Sequence, residues 1–189
     1  MELVARLASG NAHKLEELRS ALPDWTIELL GADSFPPELG STHYENARAK
    51  ADFGRESASA KEWVLGEDSG LAVDALGGRP GLHSARWAGG DDPLDRLLAE
   101  LDVVADRSAR YVCELVAIAP DGTEVRGTGT LEGRIAHERR GSEGFGYDPI
   151  FVPEGEERTV AQLGDAWKRE HSHRARAARA LAAQIEASA

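Results

Sequence analysis

The feature that most narrows the fold of this chain is the order in which two hydrophobic periods alternate along it. Residues 2 to 8 form a short apolar run that ends at Ser9-Gly10-Asn11, after which Leu15, Leu18 and Leu22 recur at helical spacing. A strand, a tight turn and a helix are therefore expected in succession. Residues 25 to 30 predict a second strand, and such β-α-β alternation builds parallel pairs. In the middle of the chain, Pro120-Asp121-Gly122 separates apolar runs at residues 111 to 119 and 123 to 136, which predicts an antiparallel hairpin. A chain holding both arrangements needs a mixed sheet, and the expected fold class is α/β.

The remaining segments fill in this outline. Residues 31 to 40, with Pro36-Pro37, read as a loop, and Ser41 or Thr42 caps a helix reaching about residue 60, whose small Ala47, Ala51 and Ala58 allow close packing. Apolar runs at residues 63 to 66 and 71 to 75 are expected to flank an acidic turn, Glu67-Asp68-Ser69-Gly70. Asp92-Pro93 ahead of Leu94, Leu97, Leu98 and Leu101 supplies an N-cap, a proline at the first helical position and an apolar face. Residues 141 to 149 read as a Gly-rich loop, 150 to 152 as a short strand, Thr159 to Gln162 as a capping box, and about 171 to 187 as the last helix. With no linker and no repeat, residues 1 to 189 are expected to form one domain, two-lobed around a cleft.

Composition removes several function classes. Cys113 is the single cysteine, which excludes an intrachain disulfide and favours a reducing cytoplasm; on an apolar strand it reads as a packed thiol. The start lacks a basic stretch followed by an apolar core, and no segment approaches the ~20 apolar residues of a membrane helix. Neither secretion nor membrane insertion is expected. A net charge of −11, from 22 Lys and Arg against 33 Asp and Glu, disfavours a nucleic-acid polymer as partner. A small anion remains open, because a local cationic pocket or a bound metal overrides the global sign. No Walker phosphate loop, HExxH metal pair or GxSxG elbow occurs.

What remains is a set of polar loops. Ser9-Gly10-Asn11-Ala12-His13-Lys14 enters a helix, where backbone N–H groups and Lys14 suit a phosphate, although a capped surface helix would look the same. Glu67, Asp68 and Glu45 offer the hard oxygens that Mg²⁺ prefers, or else simply face solvent. Gly144-Phe145-Gly146-Tyr147-Asp148-Pro149 places two aromatics and a carboxylate in one loop, as base stacking requires and as core coverage also would. Lys168, Arg169, His171, His173, Arg174, Arg176 and Arg179 form a cationic cluster in an otherwise acidic chain.

Together these segments resemble the inosine-triphosphate pyrophosphatase family, the Ham1-like or RdgB-like non-canonical purine NTP pyrophosphatases. The resemblance rests on SGNAHKLEEL at 9 to 18, GSTHYENARAKA at 40 to 51, GEDSGLAVDALGGRPGLHSARWAG at 66 to 89, GFGYDPIFVP at 144 to 153, and Lys168 with the SHR triplet at 172 to 174. It implies a mixed-sheet α/β fold with a deep central nucleotide-binding cleft, a homodimer, and Mg²⁺-dependent hydrolysis of ITP, dITP or XTP to monophosphate and pyrophosphate. It implies phosphate contacts from Ser9, Gly10, Asn11, Ala12, His13 and Lys14, a metal held by Asp68 and Glu45, and Asp68 as general base. Ser69, Phe145, Gly146, Tyr147, Asp148, Lys168, His173 and Arg174 correspond to substrate contacts, with Lys168, His173 and Arg174 expected to donate to a 6-keto base.

Three positions depart from the family's pattern: His13 stands in place of a common Gly, Glu67 in place of a frequent Asp, and Glu143 interrupts the approach to Phe145. A Maf-like nucleotide pyrophosphatase and a non-catalytic nucleotide-binding module are the alternative readings. The SHR triplet and the GFGYDP loop argue against the first, and retention of Asp68, Glu45 and Lys14 against the second.

Overall fold

The opening alternation folds as a parallel unit. In a computed structural model of the chain, which describes residues 3–188, β1 (Leu3–Leu7) is followed by α1 (Ala12–Ala21) and β2 (Trp25–Leu29). Glu2, which opens the expected first strand, lies outside the described residues. β1 pairs in parallel with β2, Leu3 facing Trp25, and with the start of β3 (Trp63–Val73), Ala5 facing Trp63. α2 (His43–Ser57) comes between β2 and β3 and is capped by Thr42, whose side chain accepts from the Glu45 N–H. The expected hairpin is β4 (Ser108–Ile118) and β5 (Glu124–Ile135), and β6 (Phe151–Pro153) adds an antiparallel edge along β5. The six strands run in the order β2-β1-β3-β4-β5-β6, so the sheet is mixed and the class is α/β.

One expectation fails. Glu67, Asp68, Ser69 and Gly70 do not form a turn between two short strands, because β3 runs unbroken for 11 residues through all four of them. Two adjacent carboxylates suggest solvent only when nothing neutralises them. Here both are buried, and cations distant in sequence supply the partners that burial requires. Gly66 lets α2 lie directly on the strand: a Cβ there would stand 2.0 Å from the Ala47 carbonyl oxygen, and Ala47 and Ala51 are themselves fully buried.

The chain divides into two compact units. The first comprises Met1–Asp68, Cys113–Gly129 and His173–Ala189. Its core joins Leu7, Leu18, Ile27, Leu65, Cys113, Leu115 and Leu181. α5 (His173–Ser188) lies close enough to β5 that a Cβ on Gly129 would meet the His173 carbonyl oxygen at 2.0 Å. The second comprises Ser69–Val112 and Thr130–Ser172, with Leu71, Leu97, Leu101, Ile135, Ile150 and Phe151 in its core.

α3 (Pro93–Glu100) in the second unit starts as its sequence predicts, Asp92 accepting from the N–H groups of Leu94 and Asp95 at 2.8 and 3.3 Å. α4 (Val160–His171) begins at the Thr159 capping box, with the Thr159 N–H 3.0 Å from the Gln162 side-chain oxygen. It extends beyond the short helix expected, by way of a non-helical Gly164 (φ 83°). Ser172, with extended ψ of 156°, separates α4 from α5, so the last helix begins at His173 rather than His171. Among the described residues, no helix is long and apolar enough to cross a membrane.

Candidate active site

In the first unit the loop from Ser9 to Lys14 organises itself with its own side chains. Ser9 Oγ accepts from the Asn11 N–H at 3.1 Å, and Asn11 Oδ1 accepts from the N–H groups of His13 and Lys14 at 2.9 and 3.2 Å. Asn11 is thus the N-cap of α1. Two of the backbone donors expected to meet a phosphate are therefore held by Asn11. The Lys14 ammonium lies 2.6 Å from Glu67 Oε2.

Glu67 has no exposed surface. Its Oε1 accepts from Arg174 Nε and Nη2 at 3.2 and 3.0 Å and from the Cys113 thiol at 3.4 Å, while Arg174 Nη1 reaches Glu17 Oε2 at 2.5 Å. Lys14 and Arg174 together balance Glu67 and Glu17. Burial opposes the charge on Arg174, but the two carboxylates outweigh it and hold the guanidinium firmly protonated. Burial, and then Glu67, pushes the Cys113 thiol well above its usual range, which makes it a packed thiol rather than a nucleophile.

Asp68, 4% exposed, is gripped by α2. His43 Nδ1 lies 2.6 Å and Asn46 Nδ2 3.3 Å from its Oδ2, and Lys50 Nζ lies 3.2 Å from its Oδ1. Lys50 also donates to Glu38 Oε1 at 2.6 Å and to the Glu67 carbonyl at 3.1 Å. Desolvation disfavours its charge, yet Asp68 foremost, with Glu38 and Glu67, raises its pKa above the ordinary lysine value. Glu45 is exposed on the first turn of the same helix, and its Oε2 accepts from the Ser41 N–H and hydroxyl at 2.6 and 2.8 Å. Those bonds, led by the hydroxyl, lower its pKa.

Among the described residues, no cluster of three His, Cys, Asp or Glu side chains forms a ready-made cage. Asp68 and Glu45 nonetheless supply carboxylate oxygens, the donors a hard divalent cation takes together with substrate phosphates where no dedicated protein cage exists.

In the second unit, Ser69 follows Asp68 on β3. The Phe145-Gly146-Tyr147-Asp148 loop closes on Asp148, whose Oδ2 accepts from the Phe145 N–H at 2.9 Å and from Lys168 Nζ at 2.7 Å, and whose Oδ1 accepts from the Tyr111 hydroxyl at 3.3 Å. Lys168 Nζ also stands 4.5 Å from the Phe145 ring centroid, a cation–π contact. Gly144 (φ +77°) permits this closure, since a Cβ there would meet Asp148 Oδ2 at 2.2 Å. The Tyr147 hydroxyl donates to the Ser84 carbonyl at 3.0 Å, and burial raises its pKa to about 12. Glu143, the departure in this loop, accepts from the Asp165 N–H at 3.1 Å just past the Gly164 kink, and so caps the second half of α4.

The cationic cluster therefore separates into two sets. Lys168, His173 and Arg174 are buried, whereas Arg169, His171, Arg176 and Arg179 face solvent. Sequence reasoning missed Glu17, Glu38, His43, Asn46 and Lys50. The available signal was the spacing of His43, Asn46 and Lys50, three polar side chains on one face of a helix otherwise lined by small residues.

A mixed α/β chain with buried, cation-paired carboxylates beside a capped helix-entry loop has clear relatives. The Ham1 family model matches residues 5–184. A curated dITP/XTP pyrophosphatase of Streptomyces coelicolor is 46% identical over 188 residues, covering 93% of each chain. One of Gloeobacter violaceus is 44% identical over 178 residues, covering 93% of this chain and 90% of its own. The solved structure of the Staphylococcus aureus Ham1 protein superposes with a TM-score of 0.86 at 35% identity, covering 98% of this chain and all of that one. That of a Coxiella burnetii HAM1 protein gives 0.84 at 34%, covering 98% and 99%. The chain belongs to the Ham1 family.

Proposed function

We propose that the protein hydrolyses non-canonical purine nucleoside triphosphates, dITP, ITP and XTP among them, to the nucleoside monophosphate and pyrophosphate. The observation that carries this reading is Asp68, a carboxylate buried on β3 and held by three side chains of one helix. The relatives named dITP/XTP pyrophosphatase support the choice of substrate. Attack of water on a triphosphate is slow until charge is neutralised and the nucleophile is aimed, so positioning and electrostatics carry most of the catalysis.

Asp68 accepts a proton from water as its oxygen attacks the α-phosphorus. The bond from that phosphorus to the oxygen bridging it to the β-phosphorus breaks, and pyrophosphate leaves. Asp68 and Glu45 would hold Mg²⁺, which would supply neutralisation of the phosphate charge. Ser9 to Lys14 receive the phosphates, Lys14 leaving its ion pair with Glu67 to meet the added negative charge. Ser69 and the Phe145-Gly146-Tyr147-Asp148 loop contact the nucleoside.

Lys168, His173 and Arg174 favour a 6-keto acceptor over the 6-amino donor of adenine, because a donor facing a donor leaves buried groups unpaired at about 1–3 kcal/mol each. Lys168 and Arg174 are already paired with carboxylates, so base recognition by them requires those pairs to loosen or to share a donor. The protein acts as a cytoplasmic homodimer with a nucleotide, not a nucleic-acid polymer or a membrane, as its partner.

A nucleotide panel tests the substrate reading. dITP and XTP should exceed ATP by about a hundredfold or more in kcat/KM, consistent with one or two unpaired donors. Equal rates for dITP and ATP would refute the 6-keto selection.

A further inference from the structure

Glu143, one of the positions that departs from the family's pattern, ties the Phe145-Gly146-Tyr147-Asp148 loop to α4. Its Oε2 accepts from the Asp165 N–H at 3.1 Å, and Gly164 makes room for it, since a Cβ there would stand 2.6 Å from that oxygen. Its own N–H donates to the Ala161 carbonyl at 3.3 Å, and the Ala161 N–H donates to the Asp148 carbonyl at 3.1 Å. About one helical turn beyond Asp165, Lys168 holds the Asp148 carboxylate at 2.7 Å. The segment between these anchors contains Gly144 and Gly146, at φ +77° and +61°, and glycines lose the most conformational freedom when a loop is fixed. The side-chain ties at its two ends differ in what a nucleotide does to them. In the proposed function Lys168 donates to the base and its pair with Asp148 must loosen or share, whereas neither Glu143 nor the Asp165 N–H is a nucleotide contact.

We infer that Glu143 is a positioning residue for the nucleoside: through the Asp165 N–H it keeps the loop docked on α4 when Lys168 turns from Asp148 toward the base. This rests on the reading of that loop and of Lys168 as nucleoside contacts. A loop already held in its bound shape raises the binding-competent fraction of the protein, so losing the tie weakens apparent affinity in proportion to the fraction lost. The hydrolytic step at Asp68 is left as it was. The role belongs to the acceptor oxygen, which Gln supplies at the same point of the side chain and Ala does not.

The test compares Glu143→Ala and Glu143→Gln in the full chain with dITP. Glu143→Ala should raise KM about tenfold, as a fall of the docked loop to about one tenth of the population would do, with kcat within about twofold. Glu143→Gln should keep KM within about threefold of the parent protein, because the acceptor is retained. In the substrate-free protein, amide hydrogen exchange at Asp165 and from Gly144 to Gly146 should quicken in the Ala variant and stay near the parent rate in the Gln variant. Unchanged KM in Glu143→Ala, equal rises in both variants, a loss confined to kcat, or unaltered exchange at Asp165 would each overturn the assignment. Phe145→Ala is run alongside: if its KM is unchanged, the reading of the loop as a nucleoside contact has itself failed, and if its KM rises while Glu143→Ala is unimpaired, only the role of Glu143 has.

Discussion

Asp68→Asn lowers kcat for dITP by about a thousandfold, within the 10²–10⁴ range of general-base catalysis, while the protein stays folded. The substitution preserves shape and removes the charge and one acceptor. Lys50 keeps Glu38 and the Glu67 carbonyl, so the helix face that holds the strand survives and the melting temperature falls by only a few degrees. Steady-state kinetics at saturating Mg²⁺, with circular dichroism melts, separate the two effects. Turnover within tenfold of the parent protein would move the base to another residue.

Arg174→Met produces the largest loss of stability. Arg174 is 1% exposed and holds Glu67 and Glu17 through three nitrogens. Its removal takes from Glu67 and Glu17 the guanidinium that they share. Removing one side of a buried ion pair costs about 3–5 kcal/mol, because the remaining charge stays desolvated. For a chain of this size that corresponds to a fall of about 10 °C in melting temperature. Adding Glu67→Gln should recover part of the loss, with a coupling energy above about 1 kcal/mol in the double-mutant cycle. Strict additivity would show that the pair contributes no specific interaction.

The sequence was a good guide wherever the deciding contacts are local. Asp92 and Pro93 start α3, Thr42 caps α2, Thr159 and Gln162 form their box, and Pro120-Asp121-Gly122 turns the hairpin, because each of these depends on residues a few positions apart. Glu67 and Asp68 were misread as a turn for the opposite reason. Their counter-ions come from positions 14, 50 and 174, and no local pattern announces that two acids will be neutralised inside a strand.

The cationic run from Lys168 to Arg179 was legible as composition but not as geometry. Ser172 breaks it between two helices, and the break decides which cations turn inward. Site residues came from the resemblance of five blocks, whereas His43, Asn46 and Lys50 needed the folded helix to reveal what they hold.

The most direct measurement is hydrolysis of dITP in ¹⁸O-labelled water with identification of both products. Attack at the α-phosphorus places one ¹⁸O in the monophosphate and none in the released pyrophosphate. Label in pyrophosphate, or orthophosphate as the first product, would contradict the account.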